Sequence, residues 1–214
     1  MKRIVLLAFL TAVGLAAHVA NAAPMGHLDI YGAVGVGPLL SGDQKDIPDL
    51  LLAPKPDSYS SVMGVIGARI FPVEEVGVEA FATFGSVSAG ATGYQSMTLY
   101  DYAIYNGGLI LRGNILLGGS QVLSFHLGGG VSYGGASIDK DFNSWAIANL
   151  AASFLPTSAG VGWYGKVGLA YHFDRMWFVD LSGVFFATKT TFSSGATLDG
   201  NLLLITAGIG VSLF

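Results

Sequence analysis

The 214-residue chain has no cysteine, and only 11% of its residues are charged. The absence of cysteine excludes disulfide bonds, thiol catalysis and cysteine-ligated metal sites. Soluble globular domains carry about a quarter charged residues, so the low charge indicates a surface that does not mainly face water. The net charge is −4, and without a basic cluster beyond the N-terminus this argues against nucleic acid as a partner.

Long apolar runs are also missing after the N-terminus. A membrane-spanning helix needs roughly 18 or more consecutive apolar residues. The two longest candidates, Ser144–Leu155 and Leu202–Phe214, are too short or are interrupted by glycine, serine and threonine. Yet 52% of the residues are hydrophobic. This combination favours a transmembrane β-barrel, because a closed barrel is the other way to cross lipid with every backbone polar group paired.

The first 22 residues have the pattern of a secretory signal. Lys2 and Arg3 provide a positive start, Ile4–Ala17 is apolar, and Ala20 and Ala22 are the small residues of a cleavage site. We therefore expect a cleaved signal peptide at 1–22 and a single exported domain at 23–214.

Period-two alternation of apolar and polar residues recurs eight times, which predicts eight β-strands. The segments lie near 27–37, 59–71, 76–87, 102–114, 122–133, 161–173, 177–188 and 202–214. Three tight connections, Pro72–Glu75, Leu117–Gln121 and Asp174–Met176, alternate with four longer ones, at about 38–58, 88–101, 134–160 and 189–201. This order is typical of an all-β, eight-stranded, antiparallel up-and-down barrel that crosses the outer membrane. A short helix is expected in the third long connection, at 143–155.

The polar face of these segments carries nearly all of their charged residues. Six misplaced charges facing lipid would cost on the order of 10 kcal/mol, so we expect this face to line the barrel lumen. Its members are Asp29, Arg69, Glu79, Asn106, Arg112, Ser124, His126, Lys166, His172, Asp180 and Ser182. Three cations and three anions are balanced, which favours a packed plug of paired side chains. A selective polar pore is the alternative.

Two features concern the outer surface. The opposite face of the segments is apolar, from Leu28 through Ile70 to Phe185, and should contact lipid. Aromatic residues cluster at strand ends, where interfacial girdles form. They are Tyr133, Trp163, Tyr164, Tyr171, Phe173 and Trp177. Alternation also puts Phe214 on the same face as Ser212, although a terminal aromatic should face lipid.

These motifs resemble the small eight-stranded outer-membrane proteins, a group that includes the OmpW family, opacity proteins and the OmpA transmembrane domain. The resemblance covers 59–214, with Val76–Phe81, Leu127–Tyr133 and Asp174–Asp180 as landmarks. It implies residence in the bacterial outer membrane, with lipid, lipopolysaccharide and the barrel-assembly machinery as partners. It also implies a non-enzymatic structural or surface role, or an OmpW-like passage of small hydrophobic molecules.

Catalysis is the alternative function, because some barrels of this size are lipid A deacylases. Ser124 and His126 share one strand and one face, as a nucleophile and its base would. The deacylase pattern resembles His-x-Ser facing lipid, whereas this chain has Ser-x-His facing the lumen. The histidines after the leader, His27, His126 and His172, lack ligand spacing. We therefore expect no catalytic, cofactor or metal site.

Overall fold

The computed structural model describes residues 27–41, 56–90, 97–118, 121–140, 142–144, 157–192 and 197–213. The predicted leader and the position of Phe214 lie outside the described residues. Most of the predicted helix at 143–155 does too, and helical backbone is described at Lys140 and at 142–144. Within the described residues, no helix is long and apolar enough to span a membrane.

The described residues are almost entirely β-strand. The strands are β1 (His27–Gly37), β2 (Leu39–Ser41), β3 (Ser58–Val73), β4 (Val76–Gly90), β5 (Met97–Gly118), β6 (Gln121–Ile138), β7 (Thr157–His172), β8 (Trp177–Phe192) and β9 (Thr197–Leu213).

Every strand pairs antiparallel with its neighbours, and the pairing of β1 with β9 closes the sheet into a ring. The short β2 continues β1 beyond Pro38 and pairs with β9 through Leu39 and Leu202. The nine strands of the described residues therefore occupy eight positions around the ring, since β1 and β2 share one, and the predicted eight-stranded antiparallel barrel is confirmed. Closure leaves no unpaired edge in the part of the sheet that the structure describes, which is what a backbone in lipid requires.

The strands are longer than the sequence predicts, mostly at the long-loop end. β5 has 22 residues and β6 has 18, against the roughly 9–11 that a tilted strand needs to cross the hydrocarbon layer. The hairpins continue past the apolar alternation because backbone pairing does not require apolar side chains. Ser88 and Thr98, for example, hydrogen-bond between β4 and β5 at 3.3 Å.

The tight turns form where the sequence predicts them. Glu74 and Glu75 connect β3 to β4. Between β7 and β8, the Asp174 carboxylate accepts hydrogen bonds from the backbone N–H groups of Met176 and Trp177 at 2.7 and 2.6 Å. This side chain satisfies backbone donors that the reversing chain leaves unpaired.

A belt of exposed apolar side chains covers the middle of the outer surface. Leu109, Leu127 and Val167 are 63%, 59% and 61% exposed. The exposed charged residues of the described part of the chain lie near strand ends or in turns, as Glu75, Arg175 and Lys189 do. Such a surface fits lipid and not water.

Two expectations about the outer surface are wrong. Ile70, expected to face lipid, is only 2% exposed and adjoins a register shift between Ile70 and Val73. Tyr164, expected in the aromatic girdle, is also 2% exposed. Alternation explains Tyr164, because it puts this side chain on the lumenal side with Lys166, while Trp163 points outward and is 55% exposed.

Candidate functional site in the barrel lumen

The carboxylate of Glu79 is the centre of an ionic cluster inside the barrel. Its Oε1 lies 2.9 Å from Arg69 Nε and 2.7 Å from Lys166 Nζ. The same oxygen accepts a hydrogen bond from the Tyr31 hydroxyl at 2.8 Å. All four residues are at most 4% exposed. The predicted lumenal position of Arg69, Glu79 and Lys166 is confirmed, and their charges are paired as a buried site requires.

A second carboxylate, that of Asp180 on β8, extends the cluster to the opposite side of the barrel. Arg69 Nη2 lies 2.7 Å from Asp180 Oδ2, so one guanidinium joins Glu79 and Asp180. The Ser182 hydroxyl donates to Asp180 Oδ1. Together, Arg69, Glu79, Lys166 and Asp180 form what we call the ionic plug.

Strand register explains how the plug crosses the lumen. Arg69 and Glu79 are direct partners on neighbouring strands β3 and β4. Lys166 is on β7 and Asp180 on β8, each three strands away from its partner around the ring. Side chains on strands so far apart around the ring can only meet through the barrel interior. The plug therefore spans the lumen at this level, as expected for the narrow barrel of eight strands.

A glycine makes room for Tyr31 in this arrangement. Gly67 pairs with Tyr31 on one side and with Phe81 on the other. A Cβ at Gly67 would come within 2.7 Å of the Tyr31 ring and of the Phe81 Cβ. The Tyr31 ring also lies under the Arg69 guanidinium, 4.4 Å from centroid to Cζ. Gly67 thus allows the close packing that puts the Tyr31 hydroxyl against Glu79.

The lumen at the tight-turn end is a polar cavity of about 620 Å³. Arg112 Nε donates to the backbone oxygen of Glu74 at 3.0 Å, and its Nη1 contacts His27 Nε2. Asn114 donates to Glu74 Oε1 at 2.8 Å and accepts from Ser124 at 2.7 Å. Arg112 is therefore lumenal, as predicted. Its described contacts are a backbone carbonyl, an imidazole and the Phe71 ring, 3.8 Å from Cζ to centroid, where the sequence leads us to expect a carboxylate.

The remaining predicted lumenal residues are also inside. Asp29 is buried and accepts a hydrogen bond from Ser212 at 2.6 Å. Asn106 is buried and donates to the backbone oxygen of Phe81 at 3.3 Å. His172 is half-buried, with its ring 5.0 Å from the ring of Phe178.

Beyond the plug, towards the long loops, the lumen becomes apolar. Its buried hydrophobic side chains belong to one cluster, which includes Met63, Ile104, Phe186, Leu202 and Leu204. Each of these five is at most 1% exposed. Buried hydroxyl groups, such as those of Thr188 and Thr190, lie on the same wall. The interior therefore has three levels: a polar mouth, an ionic plug and an apolar upper half.

The candidate catalytic pair, Ser124 and His126, does not assemble. Ser124 donates its hydroxyl hydrogen to Asn114. His126 Nε2 instead lies 3.1 Å from the Ser182 oxygen. Because Ser182 gives its hydrogen to Asp180, its oxygen accepts from His126, and that nitrogen must carry a proton. It therefore cannot act as a base towards Ser182, as a triad would require.

Metal binding finds no support in the described residues, where no group of three or more histidine or acidic side chains is placed to hold an ion. Two members of the lumenal network, Tyr31 and Tyr164, are absent from the set of lumenal residues predicted from the sequence. The signal was available, because Tyr31 has the same alternation as Asp29, and Tyr164 the same as Lys166.

Comparisons with known proteins agree with this architecture. No protein-family model and no curated protein matches the chain. Among solved structures, it is similar to the outer membrane protein OprG from Pseudomonas aeruginosa, with a TM-score of 0.55 at 14% identity, covering 88% of this chain and 96% of OprG. It is also similar to Neisserial surface protein A, with a TM-score of 0.50 at 13% identity, covering 87% of this chain and 96% of that protein. The chain thus has the fold of the small eight-stranded barrels of the bacterial outer membrane.

Proposed function

We propose that the protein is a non-enzymatic integral outer-membrane protein with a lumen closed by side chains and a structural or surface role. The observation that carries this proposal is the ionic plug, in which Arg69 joins Glu79 to Asp180 across the lumen. The belt of exposed apolar side chains implies that lipid and lipopolysaccharide are its surroundings. Insertion of such a barrel would require the barrel-assembly machinery.

Conductance in planar bilayers tests the closed lumen. The refolded protein should give no steady conductance steps above those of a protein-free bilayer, while a 16-stranded porin in the same bilayer gives large ones. Reproducible steps from the unmodified protein, which disappear when it is omitted, would contradict a closed lumen.

A second candidate function is the passage of small hydrophobic molecules. The apolar upper half of the lumen supports it, because Met63, Ile104 and Phe186 present an apolar lining above the ionic plug. A molecule following this route would have to leave sideways into the bilayer, since the plug blocks the axis.

Uptake of a small apolar fluorophore by cells with and without the protein tests this candidate. If the route runs through the upper lumen, Met63→Gln should slow uptake while Leu40→Gln, on an exposed side chain of β2, should leave it unchanged. Equal uptake with and without the protein would exclude the passage.

The enzymatic alternative, a lipid A acyl hydrolase using Ser124 and His126, gains no support from their separate hydrogen bonds. Mass spectrometry of lipid A from cells with and without the protein tests it. We expect the same acyl pattern in both, and the loss of one acyl chain only in cells that make the protein would revive the hydrolase.

A further inference from the structure

Five buried polar atoms on the lumenal wall have no hydrogen-bond partner among the described protein groups. They are Glu79 Oε2, Thr83 Oγ1, Asn106 Oδ1, Ser132 Oγ and Tyr164 OH. Their residues are between 0% and 6% exposed. Leaving buried polar atoms unpaired is costly, and five of them together would offset much of the stability of a typical domain. Something other than the described side chains must satisfy them.

These atoms belong to one continuous patch of the wall, on β4 to β7. Glu79 pairs with Gly108, Gly108 with Gly130, and Gly130 with Tyr164, so all four lie in one row across the sheet. Between Glu79 and Tyr164 this row consists of two glycines facing the lumen. Neither Gly108 nor Gly130 has a side chain that could enter the lumen. We call this glycine strip, together with the polar residues that border it, the polar recess.

The next two rows complete the borders of the polar recess. Asn106 and Ser132 are direct partners on β5 and β6, one step further from the tight turns. Thr83 follows two residues after Phe81, the partner of Asn106. The Phe81 ring meets the Tyr164 ring edge-on at 5.0 Å, so Tyr164 is directed back over the glycine strip towards β4.

The chemistry of the unpaired atoms defines what would satisfy them. Glu79 Oε1 already accepts from Arg69, Lys166 and Tyr31, which leaves Oε2 to be satisfied. The Asn106 amide nitrogen is engaged with backbone oxygens, which leaves its carbonyl oxygen. Both are acceptors, whereas the three hydroxyls donate and accept. The occupant must therefore be small, donate at least two hydrogen bonds and also accept them.

We propose that the polar recess is a binding site for a cluster of ordered water molecules that bridges Glu79 Oε2 to the Tyr164 hydroxyl and continues to Asn106, Ser132 and Thr83. Buried waters typically make about three hydrogen bonds to otherwise unsatisfied groups, and the five atoms supply the acceptors and hydroxyls for such bonds. The cluster carries the hydrogen-bond network of the ionic plug one level further into the apolar half of the lumen.

Removal of single hydroxyls distinguishes bound water from dry, unpaired groups. If water bridges them, Tyr164→Phe, Ser132→Ala and Thr83→Val should each lower the urea midpoint of unfolding, because a bridging water loses a partner. If the hydroxyls are dry, the same changes should raise the midpoint or leave it unchanged, which would overturn the proposal. Tyr105→Phe is the matched control, since Tyr105 packs edge-on against Phe84 on the outer surface, and it should leave the midpoint unchanged.

A direct observation on the unmodified protein covers the case in which a variant does not fold. In a crystal structure that resolves ordered water, we expect electron density at hydrogen-bond distance, about 2.7–3.2 Å, from both Glu79 Oε2 and Tyr164 OH. A direct bond between these two atoms, or the absence of density between them, would overturn the proposal.

Discussion

Lys166 and Glu79 meet in the centre of the barrel, with 2.7 Å between Nζ and Oε1, although they are on strands three positions apart in the ring. Their separation along the chain is 87 residues. The contact depends on barrel closure, because only a closed wall brings the lumenal faces of β4 and β7 opposite one another. It makes the charge of Glu79 the best point at which to test the ionic plug.

Glu79→Gln should destabilise the protein by about 3–5 kcal/mol, because it leaves Arg69 and Lys166 buried without their shared anion. The measurement is the free energy of unfolding in urea with the protein in lipid vesicles. Glu75→Gln, in the exposed turn, is the control and should change stability by less than about 0.5 kcal/mol. A Glu79→Gln variant as stable as this control would show that the plug contributes little.

Gly67→Ala should also weaken the site, since the added methyl would approach Tyr31 and Phe81 at 2.7 Å. Overpacking of this kind costs about 1–3 kcal/mol, measurable by the same unfolding assay. Gly113→Ala is the matched control, because nothing lies within 4 Å of a Cβ there. Equal stability of the two variants would mean that Tyr31 can move aside freely.

The apolar belt predicts that the cost of a charge depends on depth. Leu127→Arg, in the middle of β6, should reduce folding stability by about 2–4 kcal/mol, whereas Leu116→Arg, near the end of β5, should cost about 0–1 kcal/mol. Both side chains are exposed, at 59% and 80%. Similar costs at the two positions would be inconsistent with a bilayer centred on the belt.

Closure of the ring can be tested with introduced cysteines, since the chain has none of its own. Val36 and Ile205 are register partners on β1 and β9, and antiparallel partners lie about 4.5–5.5 Å apart at Cα. That spacing suits a disulfide. A Val36→Cys, Ile205→Cys double variant should therefore cross-link under mild oxidation, as shown by altered gel mobility.

The control for this cross-link is Val36→Cys with Ile209→Cys, because Ile209 pairs with Gly32 instead. Four residues along a strand span about 13 Å, too far for a disulfide. Equal cross-linking in both pairs would mean that the register of β1 against β9 is not fixed.

Asp174→Ala should destabilise the turn between β7 and β8. Two backbone N–H groups lose their acceptor, and loss of a comparable cap costs about 0.5–2 kcal/mol. Arg175→Ala, in the same turn, should have little effect. Urea unfolding of both variants measures the difference, and a neutral Asp174→Ala would show that water replaces the carboxylate.

Sequence alternation was sufficient to predict which side chains enter the lumen, as Arg69, Glu79 and Lys166 show, because successive residues of a strand point to opposite faces. The same rule places Tyr164 in the lumen. The wrong prediction, that it belongs to the aromatic girdle, rests on its aromatic side chain alone. Alternation failed at Ile70, since a register shift beside it changes the local packing, and it underestimated strand length, since pairing continues where the apolar pattern ends.

The barrel, the number of strands around it and the faces of the charged residues can be predicted from the amino-acid sequence alone, because each follows from local periodicity and from the cost of placing charge in lipid. The contact partners of these side chains depend on the tertiary structure. Ser124 binds Asn114 and His126 binds Ser182, Arg69 joins two carboxylates, and two glycines separate Tyr164 from Glu79. These relationships depend on strand register and on ring closure, which bring together residues whose distance along the chain carries no information about their contact.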